Sequence, residues 1–450
     1  MLTKFRLSRS SGRSRVVLGI LLVLAGLLVG SPAALALKVE EVTSATGIKA
    51  WLVEEHSVPL IAIKFAFVGG AAQDPPGKEG LAAMVADLLT EGAGDMPAQS
   101  FKDALSQLGG RLTAATGRDA IYGGLETLSK RFAPTAELLR QVVARPRFDA
   151  DAVERVRGQR LSDLARSANE PTRQALDRWF AEAFPDHPYA KSVDGTPDSI
   201  AGITPGDLKA KHAELFAKDA LRIVIVGDID KGAAANALDM IFGGLPEKAK
   251  TAHVARVDPR ALPAPVVIEK DYPLATATFG LPSLRSDDRD FPALQVLNHI
   301  IGSGDFDSRL MEEIRVKRGL AYSIQTRLLR DTIMSLMVGG VATKNEAMGK
   351  ALGVMRDVFA DMARNGPTPS QFDNAKRYLT GSYLLDFDTN AKVANSLLVI
   401  LLQGESPDYL LSRNQKINAV SLQDVRRVAA NVLKPDRLVV TIVGKPNLKP

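Results

Sequence analysis

One segment of this sequence, residues 302–324, contains side chains that could act on a carbonyl group. Arg315 and Tyr322 lie seven residues apart in it. A guanidinium group and a phenol hydroxyl are both hydrogen-bond donors, and such donors can stabilise the negative charge that develops on a carbonyl oxygen. Taken alone, the local pattern favours a structural interpretation, in which Tyr322 faces the core and Arg315 pairs with Glu312 on the surface.

The elements that must position this pair can be predicted from the same segment. Asp307 or Ser308 can cap a helix, and Gly319 can end it. The alternation of apolar residues after the glycine predicts a strand. We therefore expect Arg315 about one turn before a helix end, with Tyr322 on the strand that follows.

A second segment predicts an amphipathic helix in the first quarter of the chain. The helix begins near Gly80 and ends at Gly92, a typical C-terminal signal. Its core-facing stripe consists of the apolar residues at positions 81, 84, 85, 88 and 89. The other face carries Ala83, Ala86 and Asp87.

Composition restricts the metal chemistry that is open to this chain. The sequence contains no cysteine, which excludes disulfides, thiol nucleophiles and cysteine-ligated zinc or iron–sulfur centres. Its five histidines, at positions 56, 187, 212, 253 and 299, do not show the spacing of metal ligands. We therefore expect neither a metal nor another cofactor in this chain.

An internal repeat divides the chain into two similar halves. A helix cap, an acidic residue, a buried strand and a glycine recur at a constant offset of 217 residues. The repeated pairs are Thr204 and Ser421, Asp207 and Asp424, Leu221 and Leu438, and Gly227 and Gly444. A register that holds over all four pairs predicts two homologous domains.

The order of predicted elements indicates the α+β class. Each half opens with strands, continues through a long helical middle and closes with a strand. We expect each domain to hold a mixed or antiparallel sheet that helices cover on one face. The predicted boundaries are 1–36 for a signal peptide, 37–245 for the first domain, 246–264 for a linker and 265–450 for the second domain.

Residues 1–36 have the pattern of an export signal. Five basic residues precede the apolar run from Val16 to Gly30, and small residues end the segment at Ala36. We expect cleavage after Ala36 and a periplasmic location, with an uncleaved membrane anchor as the alternative. Without these five charges the formal charge falls from +6 to +1, which argues against partners such as nucleic acid or anionic membranes.

The helix near Gly80 resembles the zinc-motif helix of the insulinase-like peptidases, the family of pitrilysin and the mitochondrial processing peptidase. In active members it carries His-x-x-Glu-His, in which two histidines bind zinc and the glutamate takes a proton from the metal-bound water. The resemblance places Ala83, Ala86 and Asp87 at the three motif positions and Asp163 at the third ligand. It implies a degenerate motif that lacks zinc ligands and the general base.

Two interpretations of the remaining carboxylates stay open. Asp87, Glu91 and Asp163 could form a carboxylate-only metal site, although most zinc hydrolases rely on imidazole ligands. Alternatively, Asp87 and Glu91 belong to a solvated helix face.

The string from Arg315 to Tyr322 resembles a second feature of the same family. There the second domain carries an arginine and a tyrosine with this spacing, and they close over the zinc site of another domain. The likeness to two-subunit bacterial members implies that Arg315 and Tyr322 serve the active site of a homologous, zinc-bearing partner subunit. Peptides would be the substrates.

We therefore expect a noncatalytic subunit of a periplasmic heterodimeric zinc endopeptidase, inactive alone and active only with a partner that carries His-x-x-Glu-His. The alternative is a catalytically inert structural or peptide-binding protein that keeps the fold for assembly. A self-sufficient peptidase would need a metal site that the sequence does not show. Membrane contact is expected only if the signal segment stays uncleaved.

Overall fold

The structure is a computed structural model that describes residues 38–330, 333–383 and 387–449. The predicted signal segment lies outside these residues, so cleavage after Ala36 stays a prediction. Within the described ranges, no helix is both long enough and apolar enough to span a membrane.

The first half of the chain builds a six-stranded mixed sheet and a short hairpin. Its strands are β1 (Glu40–Thr43), β2 (Lys49–Glu54), β3 (Leu60–Val68), β4 (Gly92–Ala93), β5 (Met96–Pro97), β6 (Arg111–Thr116), β7 (Ala120–Leu128) and β8 (Leu221–Gly227). The sheet has the order β1-β2-β8-β3-β7-β6, while β4 and β5 pair only with each other as strands. Neighbouring strands are antiparallel except β2 and β8, which are parallel.

Eight α-helices belong to the described part of the first half. They are α1 (Leu81–Leu88), α2 (Ala98–Gln107), α3 (Phe132–Ala144), α4 (Ala150–Ser167), α5 (Pro171–Ala183), α6 (Pro197–Ala201), α7 (Pro205–Leu215) and α8 (Lys231–Phe242). The alternate residues Ile61, Ile63, Phe65 and Phe67 of β3 pack in one core with residues of α1, α3, α4, α7 and α8. This alternation puts one face of the sheet against these helices.

The second half repeats this arrangement with five strands. They are β9 (Val266–Glu269), β10 (Leu274–Pro282), β11 (Ile324–Arg330), β12 (Ser335–Lys344) and β13 (Val439–Gly444), in the order β11-β12-β10-β13-β9. Only β9 and β13 are parallel, in the same relation as β2 and β8.

Six α-helices and two π-helical turns accompany the second sheet in the described residues. The helices are α9 (Phe291–Asn298), α10 (Met348–Asn365), α11 (Pro369–Gly381), α12 (Asn390–Leu402), α13 (Tyr409–Ala419) and α14 (Leu422–Val432). The π-helical turns are His299–Ser303 and Met311–Val316. Such turns are rare and often occur at functional sites.

The repeated residues occupy matching places in the two halves. Thr204 and Ser421 each accept a hydrogen bond from the backbone N–H three residues ahead and form capping boxes at α7 and α14. Gly227 and Gly444 end the closing strands with φ angles of 141° and 138°. A side chain at either glycine would collide with the neighbouring strand, which explains why the same residue type recurs.

Each sheet also contacts a helix from the other half. Helix α5 packs on β10 and β13, whereas α12 packs on β3 and β8. The Trp179 indole N–H of α5 donates to the Val439 carbonyl at 3.0 Å, and the Thr441 hydroxyl donates to the Ala175 carbonyl at 2.7 Å. Val439 packs with α5 and Val440 with the helices of its own half, so α5 lies on the opposite face of the second sheet.

The α+β class and the mixed sheets are confirmed. The structure adds the exchanged helices, which the sequence pattern did not reveal. The described chain from Val39 onward forms one compact unit, and the domain boundaries stay predictions.

Candidate functional site

Helix α1 carries the positions of the degenerate zinc motif, and it is buried except at Asp87. Seven of its eight residues are buried, including Ala83 and Ala86 at 1% exposure each. The helix packs against α4, α7 and β6. Small side chains at Ala83 and Ala86 suit this close packing, because they occupy little space between helices. The expectation of a solvated face at this helix is therefore wrong.

Asp87 takes part in a chain of ion pairs. Arg160 Nε donates to Asp87 Oδ2 at 2.7 Å, and the same guanidinium lies 3.4 Å from Asp194 Oδ1. Asp194 Oδ2 also lies 2.6 Å from Arg173 Nη2. Partial burial raises the pKa of Asp87 above its usual value, although Arg160 acts in the opposite direction. We call α1 together with Asp87, Arg160 and Asp194 the motif region.

Glu91 and Asp163 have partners of their own. The Glu91 carboxylate accepts from Lys102 Nζ and from Arg155 Nη2, each at 2.7 Å. Burial pushes the pKa of Glu91 upward, but these hydrogen bonds outweigh it and hold the pKa below its usual value. Asp163 pairs with Arg166 and accepts from Gln159 Nε2 at 3.0 Å. Each carboxylate is thus directed at basic or amide groups.

The residues at the positions that the resemblance assigns to zinc binding do not fit a zinc ion. Ala83 and Ala86 have no donor atoms, and Asp87 and Asp163 are paired with arginines. No group of three or more His, Cys, Asp or Glu side chains that could hold a metal occurs among residues 38–330, 333–383 and 387–449. The carboxylate-only site of Asp87, Glu91 and Asp163 finds no support in this geometry.

A buried aspartate, which the sequence patterns did not reveal, anchors the start of α1. Asp74 accepts hydrogen bonds from the backbone N–H groups of Gly80 and Ala82, both at 3.0 Å. Burial raises its pKa to about 7, although these hydrogen bonds and the nearby Lys211 favour the charged form. The sequence patterns missed Asp74 because it lies well before Leu81, the first residue of α1, whereas sequence signals for a helix cap lie within about three residues of the helix start.

The predicted helix around Arg315 exists, in π-helical form. Arg315 lies in the turn Met311–Val316, and Gly319, with φ of 58°, follows its end. The Ser308 hydroxyl accepts from the Met311 N–H at 3.4 Å near the helix start. Tyr322 does not lie on the strand as predicted. It stands in the loop before β11, whose first residue is Ile324.

Arg315 and Tyr322 are brought into direct contact. The Arg315 guanidinium carbon lies 4.3 Å from the centroid of the Tyr322 ring and 4.6 Å from that of Phe306. Such distances define cation–π contacts. Tyr322 is 79% exposed and Phe306 60%, so the core position expected for Tyr322 from the pattern alone is wrong. We call Phe306, Arg315 and Tyr322 the Arg315 cluster.

The surface pair between Arg315 and Glu312 does not form either. Glu312 lies 2.8 Å from Lys317 Nζ and 3.4 Å from Arg309 Nη1, measured from its carboxylate oxygens. Lys317 and Arg318 also form ion pairs with Glu313. Throughout the described residues Arg315 makes no ion pair, so its N–H donors stay available for a carbonyl or carboxylate oxygen from outside.

Comparison with known proteins defines the class of this chain. Residues 51–197 match a family model described as insulinase (peptidase family M16), and residues 202–379 match one described as the peptidase M16 inactive domain. The two matches follow each other and account for most of the chain. This protein belongs to the insulinase family, peptidase family M16.

Individual relatives differ in what their names say of activity. The non-peptidase homolog YmxG of Helicobacter pylori is 27% identical over 83% of this chain and 86% of its own. An uncharacterized zinc protease of Mycobacterium tuberculosis is 25% identical over 79% of this chain and 81% of its own. A Pseudomonas fluorescens structure described as a peptidase M16 inactive domain covers 92% of this chain and 100% of its own, with 27% identity and a TM-score of 0.86. Together with the residue types of the motif region, these findings support a noncatalytic member of the family.

Proposed function

We propose that this protein is the noncatalytic subunit of a heterodimeric zinc endopeptidase. A homologous sibling would supply His-x-x-Glu-His, and this chain would supply Arg315, Tyr322 and part of the chamber wall. The predicted export signal implies that the pair works on peptides in the periplasm. Membrane contact would follow only from an uncleaved signal segment.

The observation that supports this proposal most strongly is the environment of the side chains in the Arg315 cluster. A guanidinium group that forms no ion pair with any described residue, next to an exposed phenol, contributes little to the stability of its own chain. The two acidic residues of the same turn, Glu312 and Glu313, are paired with Arg309, Lys317 and Arg318, so neither forms an ion pair with Arg315. Side chains held in this state are suited to contacts outside the chain.

The chemistry of the pair fits peptide hydrolysis. In the assembled site, zinc bound by the sibling would activate water. Arg315 N–H groups and the Tyr322 hydroxyl would donate to the oxygen of the scissile carbonyl, where negative charge grows in the transition state. Contact with the Tyr322 ring restricts the Arg315 side chain before substrate arrives, which reduces the ordering needed during the reaction.

Mixing experiments test this proposal. The purified chain alone is expected to contain no stoichiometric zinc and to cleave no peptide. Co-expression with a sibling of similar length that carries His-x-x-Glu-His should give a stable complex that hydrolyses peptides. Stoichiometric zinc and peptidase activity in the chain alone would instead identify a self-sufficient peptidase.

A second candidate function is an inert structural or peptide-binding protein. The name of the Helicobacter pylori relative, a non-peptidase homolog, favours it. On this alternative the sibling would be fully active by itself, and the chain would alter only its assembly or stability. Comparing the sibling's turnover with and without this chain separates the two functions.

A further inference from the structure

We propose that Phe306 is a positioning residue that holds the Arg315 guanidinium against its ring and away from the carboxylates of Glu312 and Glu313. The inference rests on the proposed function for its catalytic consequence, but the contact itself can be tested in the isolated chain. Phe306 lies in the short 3-10 turn Asp305–Asp307, between the two π-helical turns.

The surroundings of Phe306 give it no evident role in folding. Its ring is 60% exposed and belongs to none of the hydrophobic cores of the described chain. The ring contact that the structure does show is the one with the Arg315 guanidinium, at 4.6 Å. Single exposed apolar side chains are common on protein surfaces, so the informative feature of Phe306 is the contact of its ring with the cation.

The helix around Arg315 makes a competing arrangement easy to reach. Glu312 lies three residues before Arg315 in the same turn, and at this spacing opposite charges commonly pair on an α-helix. Glu313 belongs to the same turn, and its side chain is only 13% exposed. An arginine in this setting would ordinarily turn back to a carboxylate, and its donors would then be occupied.

The two rings of the cluster oppose that movement. Phe306 and Tyr322 both lie within 5 Å of the guanidinium carbon, so leaving the cluster would break two cation–π contacts at once. A carboxylate accepts hydrogen bonds from the N–H groups of a guanidinium and so occupies them. An aromatic ring contacts the cation through its face and does not occupy these donors in that way. The contacts therefore restrict Arg315 while leaving its donors free.

The first test uses the isolated chain and needs no partner. Arginine side chains are labelled with ¹³C and ¹⁵N, and the Arg315 signals are assigned by their loss in Arg315→Lys. Stacking on two rings should shift the Arg315 side-chain protons upfield. Phe306→Leu should move them back toward ordinary values, whereas Phe306→Trp should keep the shift. Identical Arg315 spectra in the original chain and in Phe306→Leu would overturn the contact.

The second test uses the complex with the zinc-bearing sibling. Loss of one exposed cation–π contact predicts a fall in kcat/KM of about two- to fivefold for Phe306→Leu, because Leu keeps apolar bulk but has no ring. Phe306→Trp should retain activity. Glu312→Gln added to Phe306→Leu should restore part of the loss, since the competing carboxylate is gone. A purely structural role for Phe306 would not produce this rescue.

Tyr378 provides a matched control. It is 60% exposed like Phe306, but its ring stacks on His299 at 4.7 Å. Tyr378→Leu should leave kcat/KM unchanged. Full activity of Phe306→Leu, or a loss that Glu312→Gln does not repair, would overturn the positioning role even if the complex is active. If no sibling gives activity, the proposed function fails, and the spectra alone decide whether Phe306 holds Arg315.

Discussion

The motif region and the Arg315 cluster differ in what their side chains contact. In the motif region, Ala83 and Ala86 are buried and Asp87 is paired with Arg160. Glu91 and Asp163, which lie outside it, have basic or amide partners of their own. In the Arg315 cluster, two exposed rings hold a guanidinium group that makes no ion pair within the part of the chain that the structure describes. The first region is organised like a core, and the second like a binding surface.

This difference shows what each region now does for the molecule. Small residues and arginine–aspartate pairs allow α1 to pack tightly against α4 and α7. The Arg315 cluster differs, since its aromatic rings are exposed to water. We infer that the motif region serves stability and that the Arg315 cluster serves a contact with another molecule.

Replacing Arg315 should give the largest effect on the activity of the complex. Arg315→Ala removes a charged donor from the developing oxyanion, and loss of one such donor typically lowers kcat by about 10²- to 10³-fold. Steady-state peptide hydrolysis by the complex measures it. Thermal unfolding of the isolated chain should be unchanged. If Arg315→Ala destabilised the isolated chain and left peptide hydrolysis unchanged, the Arg315 cluster would serve stability as the motif region does, and the contrast would be lost.

Asp74 anchors the start of α1 and should make the stability of the chain depend on pH. Its pKa lies near 3.8 in the unfolded chain and at about 7 in the folded one, so the folded state holds a proton that the unfolded state has released between these values. The free energy of unfolding therefore decreases as pH rises through this interval, by at most about 1.4 kcal/mol per pH unit from this group.

Urea unfolding of the original chain and of Asp74→Asn between pH 4 and pH 7 measures this contribution. The Asn variant keeps one acceptor for the α1 backbone and should give a flatter profile. Subtracting the two profiles removes the titration of His212 and His299, which both chains contain. Parallel profiles would show that Asp74 is not titrating as described.

Arg160 should matter for stability and not for catalysis. Arg160→Ala leaves the half-buried Asp87 without its partner, which should lower the free energy of unfolding by about 1–2 kcal/mol. Arg155→Ala is the matched control, because Glu91 keeps Lys102 and the change should stay within about 0.5 kcal/mol. Chemical denaturation gives both values. Loss of peptidase activity in folded Arg160→Ala would contradict the assignment of this region.

The smallest expected effect is that of Tyr322→Phe on stability. The side chain is 79% exposed, so removing its hydroxyl should change the free energy of unfolding by less than about 0.5 kcal/mol. The remaining ring keeps the contact with Arg315, so any rate loss in the complex reports on the hydroxyl alone. A marked destabilisation would show that Tyr322 has a structural role after all.

Local patterns predicted the repeat and its caps well. Thr204, Ser421 and Gly319 act through hydrogen bonds or backbone angles within a few residues, and such signals can be read from sequence. Alternation failed at Tyr322, because the strand begins two residues later and the tyrosine remains in the loop. A period of two shows which residues share a face only where the strand has formed.

Long-range contacts were beyond the sequence patterns. Phe306 meets Arg315 across a turn, Arg160 reaches Asp87 from another helix, and α5 packs on the sheet of the other half. Each depends on how separate elements pack together. The residue types at Ala83, Ala86 and Asp87 predicted that zinc ligands are missing. Whether these residues face water or a core depends on how α1 packs against other elements, which the local pattern does not contain.

Peptide hydrolysis by the complex that carries Arg315→Ala and Tyr322→Phe together tests the central claim most directly. The complex should form with the same stoichiometry and zinc content as the original, as judged by size-exclusion chromatography and metal analysis. The proposal predicts that kcat/KM falls by at least as much as in Arg315→Ala alone. Unchanged kcat/KM in this intact double-variant complex would contradict a shared active site.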